Sequence, residues 1–323
     1  MDSKQRDERP PIISVVMSVY NGEEYLRESI ESILNQTFKG FEFVIINDGS
    51  TDKSLEIIKS YSDARIIVIN QKNSGLAIAL NNGLKIAKGK YIARMDADDI
   101  SIDTRLEVQL DFMENNNEYV IIGSNAIVID KSGNYIYTTN LATTDNQLRK
   151  LLPSSPFMHP SVLMKKEAVE KCDYYYEAIS KLYSFEDVIL WNKLCKQGAI
   201  ANMKKPLIKY RIQPFAATTK SGAKKVINEI LNKIIERGFI LENEIDILKK
   251  IKLQERRNDK FINYHLHLSK KYLWNNCQPK LARANIFKSM LYNPFSIEPF
   301  FLLFFSFMPK GAINFIYTKM KGS

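Results

Sequence analysis

An α/β fold with a Rossmann-like, mostly parallel sheet flanked by helices is predicted by three features of this 323-residue chain. Short, continuously apolar runs of strand length alternate with segments whose apolar residues recur at i, i+3 and i+4. Each early run ends in a cluster of polar turn residues. The runs are apolar on both faces, as strands must be when helices cover both sides of a sheet.

The elements follow in order. Ile12–Val19 is the first strand and stops at Tyr20-Asn21-Gly22; Glu23–Thr37 then places Leu26, Ile30, Ile33 and Leu34 at helical spacing. Phe41–Ile46 is the second strand, broken by Asn47-Asp48-Gly49-Ser50, and Thr51–Tyr61 reads as a helix. Arg65–Asn70 and Lys90–Met95 are the third and fourth strands, separated by a helix over Leu76–Ala87 that Gly89 closes. Beyond Asp99 the alternation loosens. Arg105–Glu114 is helical, Tyr119–Ile129 a strand and Asp130–Gly133 a turn, so a hairpin there would make the sheet mixed. Phe185–Gln197 is a helix burying Val188, Leu190, Trp191 and Leu194, and Pro206–Ile212 is a last short strand. From about Gly222 strands stop, and Val226, Ile227, Ile230, Leu231, Ile234 and Ile235 form a helical stripe. The expected organisation is a polar tail over 1–11, a sheet domain over 12–215 and a basic helical region over 216–323.

Composition bounds the partners. With 45% hydrophobic and 25% charged residues, the chain can build a sizeable core. Met1–Pro10 is polar and mixed in charge, without the apolar segment of an export signal, so a cytoplasmic location is expected. Three widely spaced cysteines (Cys172, Cys195, Cys277) without a CxxC pair argue for a reducing compartment, against a disulfide scaffold and against a zinc site. The net charge of +10 is unevenly spread: residues 204–323 carry 23 Lys and Arg against 8 Asp and Glu, while the remainder is net acidic. The basic part calls for a polyanion, either nucleic acid or an anionic membrane. Its cations sit among aromatic runs, and no RNP-like or zinc-finger pattern is present, which favours the membrane. Phe300–Met308 is an apolar run between Pro299 and Pro309, short of the about 20 residues of a bilayer span. It can lie in the interface beside Lys310, Lys319 and Lys321, or form a buried core helix.

Open α/β sheets bind ligands beyond the carboxyl ends of their strands. Those ends carry Tyr20-Asn21-Gly22, Asn47-Asp48-Gly49-Ser50, Gln71-Lys72-Asn73 and Asp96-Ala97-Asp98-Asp99. Three carboxylates within four residues repel one another, and Mg²⁺ or Mn²⁺ shared with substrate phosphates would neutralise them; a solvated acidic loop is the plain alternative. The GxGxxG of dinucleotide-binding domains is missing after the first strand, as is the P-loop pattern. Glu186-Asp187 opens a predicted helix. As isolated acids these would serve only the helix dipole; a site needing a general base makes them the candidate pair. His159, within Phe157-Met158-His159-Pro160-Ser161, reads as a loop residue or as part of a site. Trp191 lies one turn beyond Asp187, placed for the core or for an acceptor. Tyr174-Tyr175-Tyr176 suits either stacking or packing. Arg211, on spacing alone, is a solvated charge.

The stretches SVVMSVYNGEEYLRESIESILNQTF, FEFVIINDGSTDKS, NSGLAIALNNGLKIAKGKYIARMDADD and SFEDVILWNKL together resemble glycosyltransferase family 2, the inverting transferases of the GT-A fold, over roughly residues 12–215. The resemblance implies that Ser18, Val19 and Tyr20 line the nucleotide base, that Asp48 reads a pyrimidine edge, and that Lys72 lies near the nucleotide. It implies Arg94 near the sugar or phosphates, Asp96 toward ribose or metal, Asp98 toward metal and diphosphate, and Asp99 toward the donor sugar. It makes Asp187 the base with Glu186 in support, puts His159 near the acceptor side, and makes Arg211 a helper for the diphosphate. The function expected is that of a metal-dependent hexosyltransferase using Mn²⁺ or Mg²⁺ and a nucleotide-sugar, with UDP as the carrier. Its acceptor would be a saccharide, free or lipid-diphosphate-linked, at the inner face of the cell membrane, in O-antigen, capsule or similar polysaccharide assembly, with no nucleic-acid partner. The competing readings are a nucleotidyltransferase on a related sheet and a non-catalytic polyanion-binding protein.

Overall fold

The computed structural model describes residues 10–152, 154–183, 185–213, 224–254, 257–275, 278–294 and 296–321. Residues 1–9 of the expected 1–11 tail, Ser184 and Cys277 lie outside the described residues. Three βα units and a fourth strand come first: β1 (Ile13–Val19), α1 (Leu26–Leu34), β2 (Phe41–Asp48), α2 (Ser54–Lys59), β3 (Ile66–Gln71), α3 (Leu76–Ile86) and β4 (Tyr91–Asp96). A mixed region follows, with β5 (Ile100–Ser101), α4 (Arg105–Asn115), β6 (Tyr119–Ile129), β7 (Tyr135–Thr138), α5 (Asp145–Arg149), β8 (Leu163–Lys165), α6 (Lys166–Lys171), α7 (Glu186–Leu194) and β9 (Ala199–Arg211). Six helices complete the chain: α8 (Lys224–Arg237), α9 (Glu242–Gln254), α10 (Arg257–Trp274), α11 (Pro279–Tyr292), α12 (Ile297–Phe305) and α13 (Lys310–Lys321).

The sheet order is β3-β2-β1-β4-β8-β6-β9-β5, with β7 paired to β6. β1 to β4 run parallel, and β8 enters antiparallel between β4 and β6. The period of two along each strand sorts its side chains into two cores. Val16, Val44, Ile46 and Ile92 pack with Leu80 and Leu84 of α3 and Leu190 and Trp191 of α7. Val15, Met17, Phe43, Ile45 and Ala93 pack with Ile30 and Ile33 of α1, Ile58 of α2 and Leu106 of α4. These runs carry apolar residues on both faces because each strand feeds both layers.

Several short elements, α5 and α6 among them, have no counterpart in the sequence pattern. β5 and β8, of two and three residues, are too short to show a period. β9 begins at Ala199 and passes through Pro206; the proline lacks a donor and so looks like a strand start. The hairpin expected near Asp130 is present, pairing Ile127 with Thr138 and Val128 with Tyr137.

The chain divides into two compact units. One is drawn from residues 1–126, 139–210 and 228–245, and the other from 127–138, 211–227 and 246–323. The first contains the sheet ends described below. In the second, Asp130 holds its own hairpin by accepting from the backbone N–H groups of Ser132 and Asn134, each at 2.9 Å. Tyr272 of α10 donates to Asp130 Oδ2 at 2.7 Å. Leu268, Tyr272, Leu273, Ala282, Ile286, Leu302 and Ile313 form this unit's interior. In the apolar run of α12, Pro299 and Leu302 are buried, whereas Phe300, Phe301, Phe304 and Phe307 are each more than half exposed. The run therefore packs along one side only. Among the described residues no helix is long and apolar enough to cross a membrane.

Candidate active site

The parallel register sets the strand ends side by side: Ser18 of β1 lies opposite Ile46 of β2 and Asp96 of β4, and Asp48 of β2 lies opposite Gln71 of β3. The loops after β1 and β2 are stitched together. Asn21, in a left-handed backbone conformation, accepts from the Thr51 N–H at 2.8 Å, while Ser50 and Ser54 hydroxyls accept from the N–H groups of Asn21 and Gly22. Asp52 accepts from the Glu23 N–H, and Glu23 returns the bond by accepting from the Lys53 N–H.

Asp48 is buried and anchored from two directions. Its Oδ1 accepts from Gln71 Nε2 and the Ser74 N–H, both at 2.8 Å, and its Oδ2 accepts from the Gly75 N–H at 2.9 Å. A carboxylate has about four acceptor sites, so this one keeps capacity for a further donor. Gly75 has φ 93°, and a Cβ there would lie 2.7 Å from Ser180 Oγ and 3.0 Å from Ser180 backbone. Of the expected base-lining residues, Ser18 is half-buried, Val19 belongs to the core and Tyr20 is exposed; Lys72 is exposed after β3.

Asp96, Asp98 and Asp99 offer carboxylate oxygens that all lie within 4.8 Å of one another. A set of hard oxygen donors at that spacing fits a divalent cation such as Mg²⁺ or Mn²⁺. Two buried arginines stand behind it. Arg94 forms an ion pair with Asp96; burial works against its charge, but the Asp96 carboxylate more than offsets that and holds the guanidinium protonated. Arg105 of α4 is fully buried, donating to the Arg94 carbonyl at 2.8 Å, the Val162 carbonyl at 3.2 Å and Gln109 at 3.0 Å. Burial, and then the like charge of Arg94, press its pKa down to about 9, so it stays cationic at neutral pH.

α7 brings the second pair of acids. Glu186 is buried, and Asp187 is half-buried. Asp187 Oδ1 accepts from the Val188 N–H at 2.7 Å, and Ser155 Oγ donates to Oδ2 at 3.2 Å. These bonds favour the carboxylate, yet burial outweighs them and raises the Asp187 pKa. Glu186 is raised as well, by burial first and by the Asp187 charge second. Glu186 also feels Arg94 and Asp96, and Asp187 feels Arg94. The structure thus brings the two acidic groups into one electrostatic neighbourhood around Arg94.

Behind them, His159 Nε2 lies 2.9 Å from the Tyr175 hydroxyl, and its ring meets Trp191 edge-on at 5.6 Å. Burial, with Arg94 nearby, lowers the His159 pKa well below its usual value, so it is neutral at physiological pH. Trp191 is a core residue, touching Phe157 and His159. The three tyrosines separate: Tyr175 is buried at His159, whereas the Tyr176 hydroxyl accepts from the Ile240 N–H. Arg94 Nε, Glu186 Oε2 and Trp191 Nε1 are buried without a hydrogen-bond partner from the chain, which is uncommon for buried polar atoms. Arg211 belongs to the second unit, where its Nη1 lies 3.3 Å from the carbonyls of Asp130 and Lys131. Ser155 and Arg105 carried no signal in the sequence beyond a loop serine and a helix-start arginine.

A family model described as glycosyl transferase family 2 matches residues 14–173. EpsE of Bacillus subtilis (strain 168), provisionally named a glycosyltransferase, is 34% identical over 226 residues, spanning 68% of this chain and 80% of EpsE. An uncharacterized glycosyltransferase of Haemophilus influenzae is 30% identical over 285 residues, spanning 82% of this chain and 84% of its own length. Among solved structures, residues 1–349 of S. aureus TarS in complex with UDP-GlcNAc share the fold with a TM-score of 0.56 at 18% identity, covering 87% of this chain and 90% of that one.

Proposed function

The chain belongs to glycosyltransferase family 2 and has the GT-A architecture, and we propose that it transfers a sugar with inversion from a UDP-sugar to a hydroxyl of a lipid-diphosphate-linked saccharide. The observation that carries the reading is the convergence of the Asp96, Asp98 and Asp99 carboxylates with Glu186 and Asp187 around the buried Arg94.

Donor transfer needs charge stabilisation on the leaving diphosphate and removal of a proton from the acceptor. Asp96 and Asp98 would hold a divalent cation, which when bound neutralises diphosphate charge as a Lewis acid. Ser18 and Tyr20 line the base, with Val19 beneath them in the core rather than against the ligand, and Asp48 accepts from the N–H of a uracil edge through its spare capacity. That TarS is described with UDP-GlcNAc and with UDP supports the choice of carrier. Lys72 and Arg94 face the phosphates and Asp99 the donor sugar. Asp187 takes the acceptor proton as general base, with Glu186 beside it, and His159 and Trp191 shape the acceptor side. The role of Arg211 at the diphosphate rests on the family resemblance alone.

The basic region, with its exposed phenylalanines, is proposed to hold the enzyme peripherally on the inner face of the membrane, in assembly of a cell-surface polysaccharide. The reading is tested by thermal unfolding with UDP, GDP, CDP and ADP, each with Mn²⁺ or with EDTA. A ligand at about 100 times its dissociation constant adds about 2.7 kcal/mol. UDP stabilisation that needs Mn²⁺ and is lost in Asp98→Asn supports the reading. A folded protein that responds to no nucleotide contradicts it.

A further inference from the structure

We infer that the second unit carries a lipid site: a cleft between α10, α12 and α13 that accepts one hydrocarbon chain of a lipid from an anionic bilayer. The inference rests on the membrane-surface reading above and deepens it.

The cleft has a volume of about 740 Å³ and is walled by Trp274, Phe301, Leu302, Phe305 and Tyr317. That volume lies within the range of pockets that enclose small ligands. Trp274 and Tyr317 stack with centroids 5.8 Å apart and planes 4° from parallel, making a flat wall, and Phe305 meets Trp274 at 5.5 Å. The Tyr317 hydroxyl is spent on Asn275, to which it donates at 3.2 Å. Lys270 and Glu298, the charged residues of the cleft, are ion-paired with each other. Such walls offer a nucleotide or sugar few hydrogen bonds and suit a hydrocarbon.

The surroundings decide what supplies it. Ile297, Phe300, Phe301 and Phe304 of α12, with Phe307, Leu291 of α11 and Phe315 of α13, are each more than half exposed. An apolar face of this kind marks an interaction surface. A protein partner would also suit the apolar face; the charge argues for lipid. Residues 257–321 contain ten Lys and Arg against two Asp and Glu, and one of these cations, Arg283, sits 4.8 Å over the Phe307 ring. Cations fringing aromatic side chains match anionic headgroups above a hydrocarbon layer. Because no described helix is long and apolar enough to cross the layer, these helices would engage it from one side, and a chain entering the cleft would turn adsorption into anchoring.

The test uses the intact chain and a fatty acid brominated at its chain end, held below its micelle concentration without vesicles. Bromine quenches tryptophan on contact, and Trp274→Phe identifies which of the two tryptophans responds. Saturable loss of most of the Trp274 emission is expected, and Phe301→Asp, a change at an exposed cleft residue, should abolish it. Absence of saturable quenching overturns the cleft. Sedimentation with phosphatidylcholine–phosphatidylglycerol vesicles is a separate arm. Sedimentation without quenching leaves the membrane reading standing and removes the cleft, whereas quenching without sedimentation overturns the bilayer as its source. Self-association that shields Trp274 from the probe would assign the face to a second copy, overturning the proposal.

Discussion

Ser155 Oγ lies 3.2 Å from Asp187 Oδ2 and 3.1 Å from the Phe157 carbonyl, so one hydroxyl hydrogen serves two acceptors. When Asp187 is ionised its charge makes it the stronger acceptor. Replacing Ser155 by Ala removes a bond that favours the carboxylate. The acid limb of the kcat/KM profile should then move to higher pH, because the ionised form loses a hydrogen bond that favours it. Ser155→Thr should restore the wild-type limb. An unmoved limb in Ser155→Ala would show that the hydroxyl stays on Phe157.

Glu186 gives a stability signature with a definite sign. Its folded-state pKa is raised by burial and by Asp187, so the favourable contribution of its neutral form is complete below the unfolded value of about 4.3 and is lost as pH rises through the raised folded value. Glu186→Gln removes a charge that burial disfavours. The variant should melt above wild type at pH 8, with the difference shrinking at pH 5. A pH-independent difference would remove the assignment of a raised pKa.

Asp96 neutralises a guanidinium that is itself buried. Asp96→Asn should destabilise the fold by an amount between the about 0–1 kcal/mol of an exposed pair and the about 3–5 kcal/mol of a fully buried one, because Asp96 keeps partial solvent access. Denaturant unfolding without metal measures this directly. No loss of stability would mean that Arg94 finds compensation elsewhere.

Gly75→Ala places a methyl against the backbone of Ser180 and demands an unfavourable positive φ. The cost should exceed about 1 kcal/mol, and because the Gly75 N–H anchors Asp48, nucleotide-dependent stabilisation should fall with it. Unchanged nucleotide response in a destabilised Gly75→Ala would separate Asp48 from the nucleotide site.

Much of this was legible in the sequence. Ile12–Val19, Phe41–Ile46 and Lys90–Met95 are apolar on both faces because each feeds two cores, with Ser14, Glu42 and Arg94 as buried polar exceptions, and the polar residues that follow mark the rim on which the candidate site lies. β8 was hidden because three residues show no period. The partners of Asp187 and Arg94 were hidden for a different reason. Ser155 reaches Asp187 across 32 residues, and Arg105 reaches Val162 across 57; contacts of that separation follow from topology and leave no local pattern. Tyr175, flanked by two tyrosines of other roles, shows the same limit: only packing decides which ring turns toward His159.

Asp187 is proposed to act on the acceptor proton while the acidic cluster around Asp98 serves the donor. The most direct measurement is turnover and UDP affinity in Asp187→Asn, side by side in Mn²⁺. Loss of a general base is expected to lower kcat about 10²–10⁴-fold with UDP affinity unchanged. Turnover near the wild-type rate in a variant that still binds UDP would contradict the assignment and place the base elsewhere.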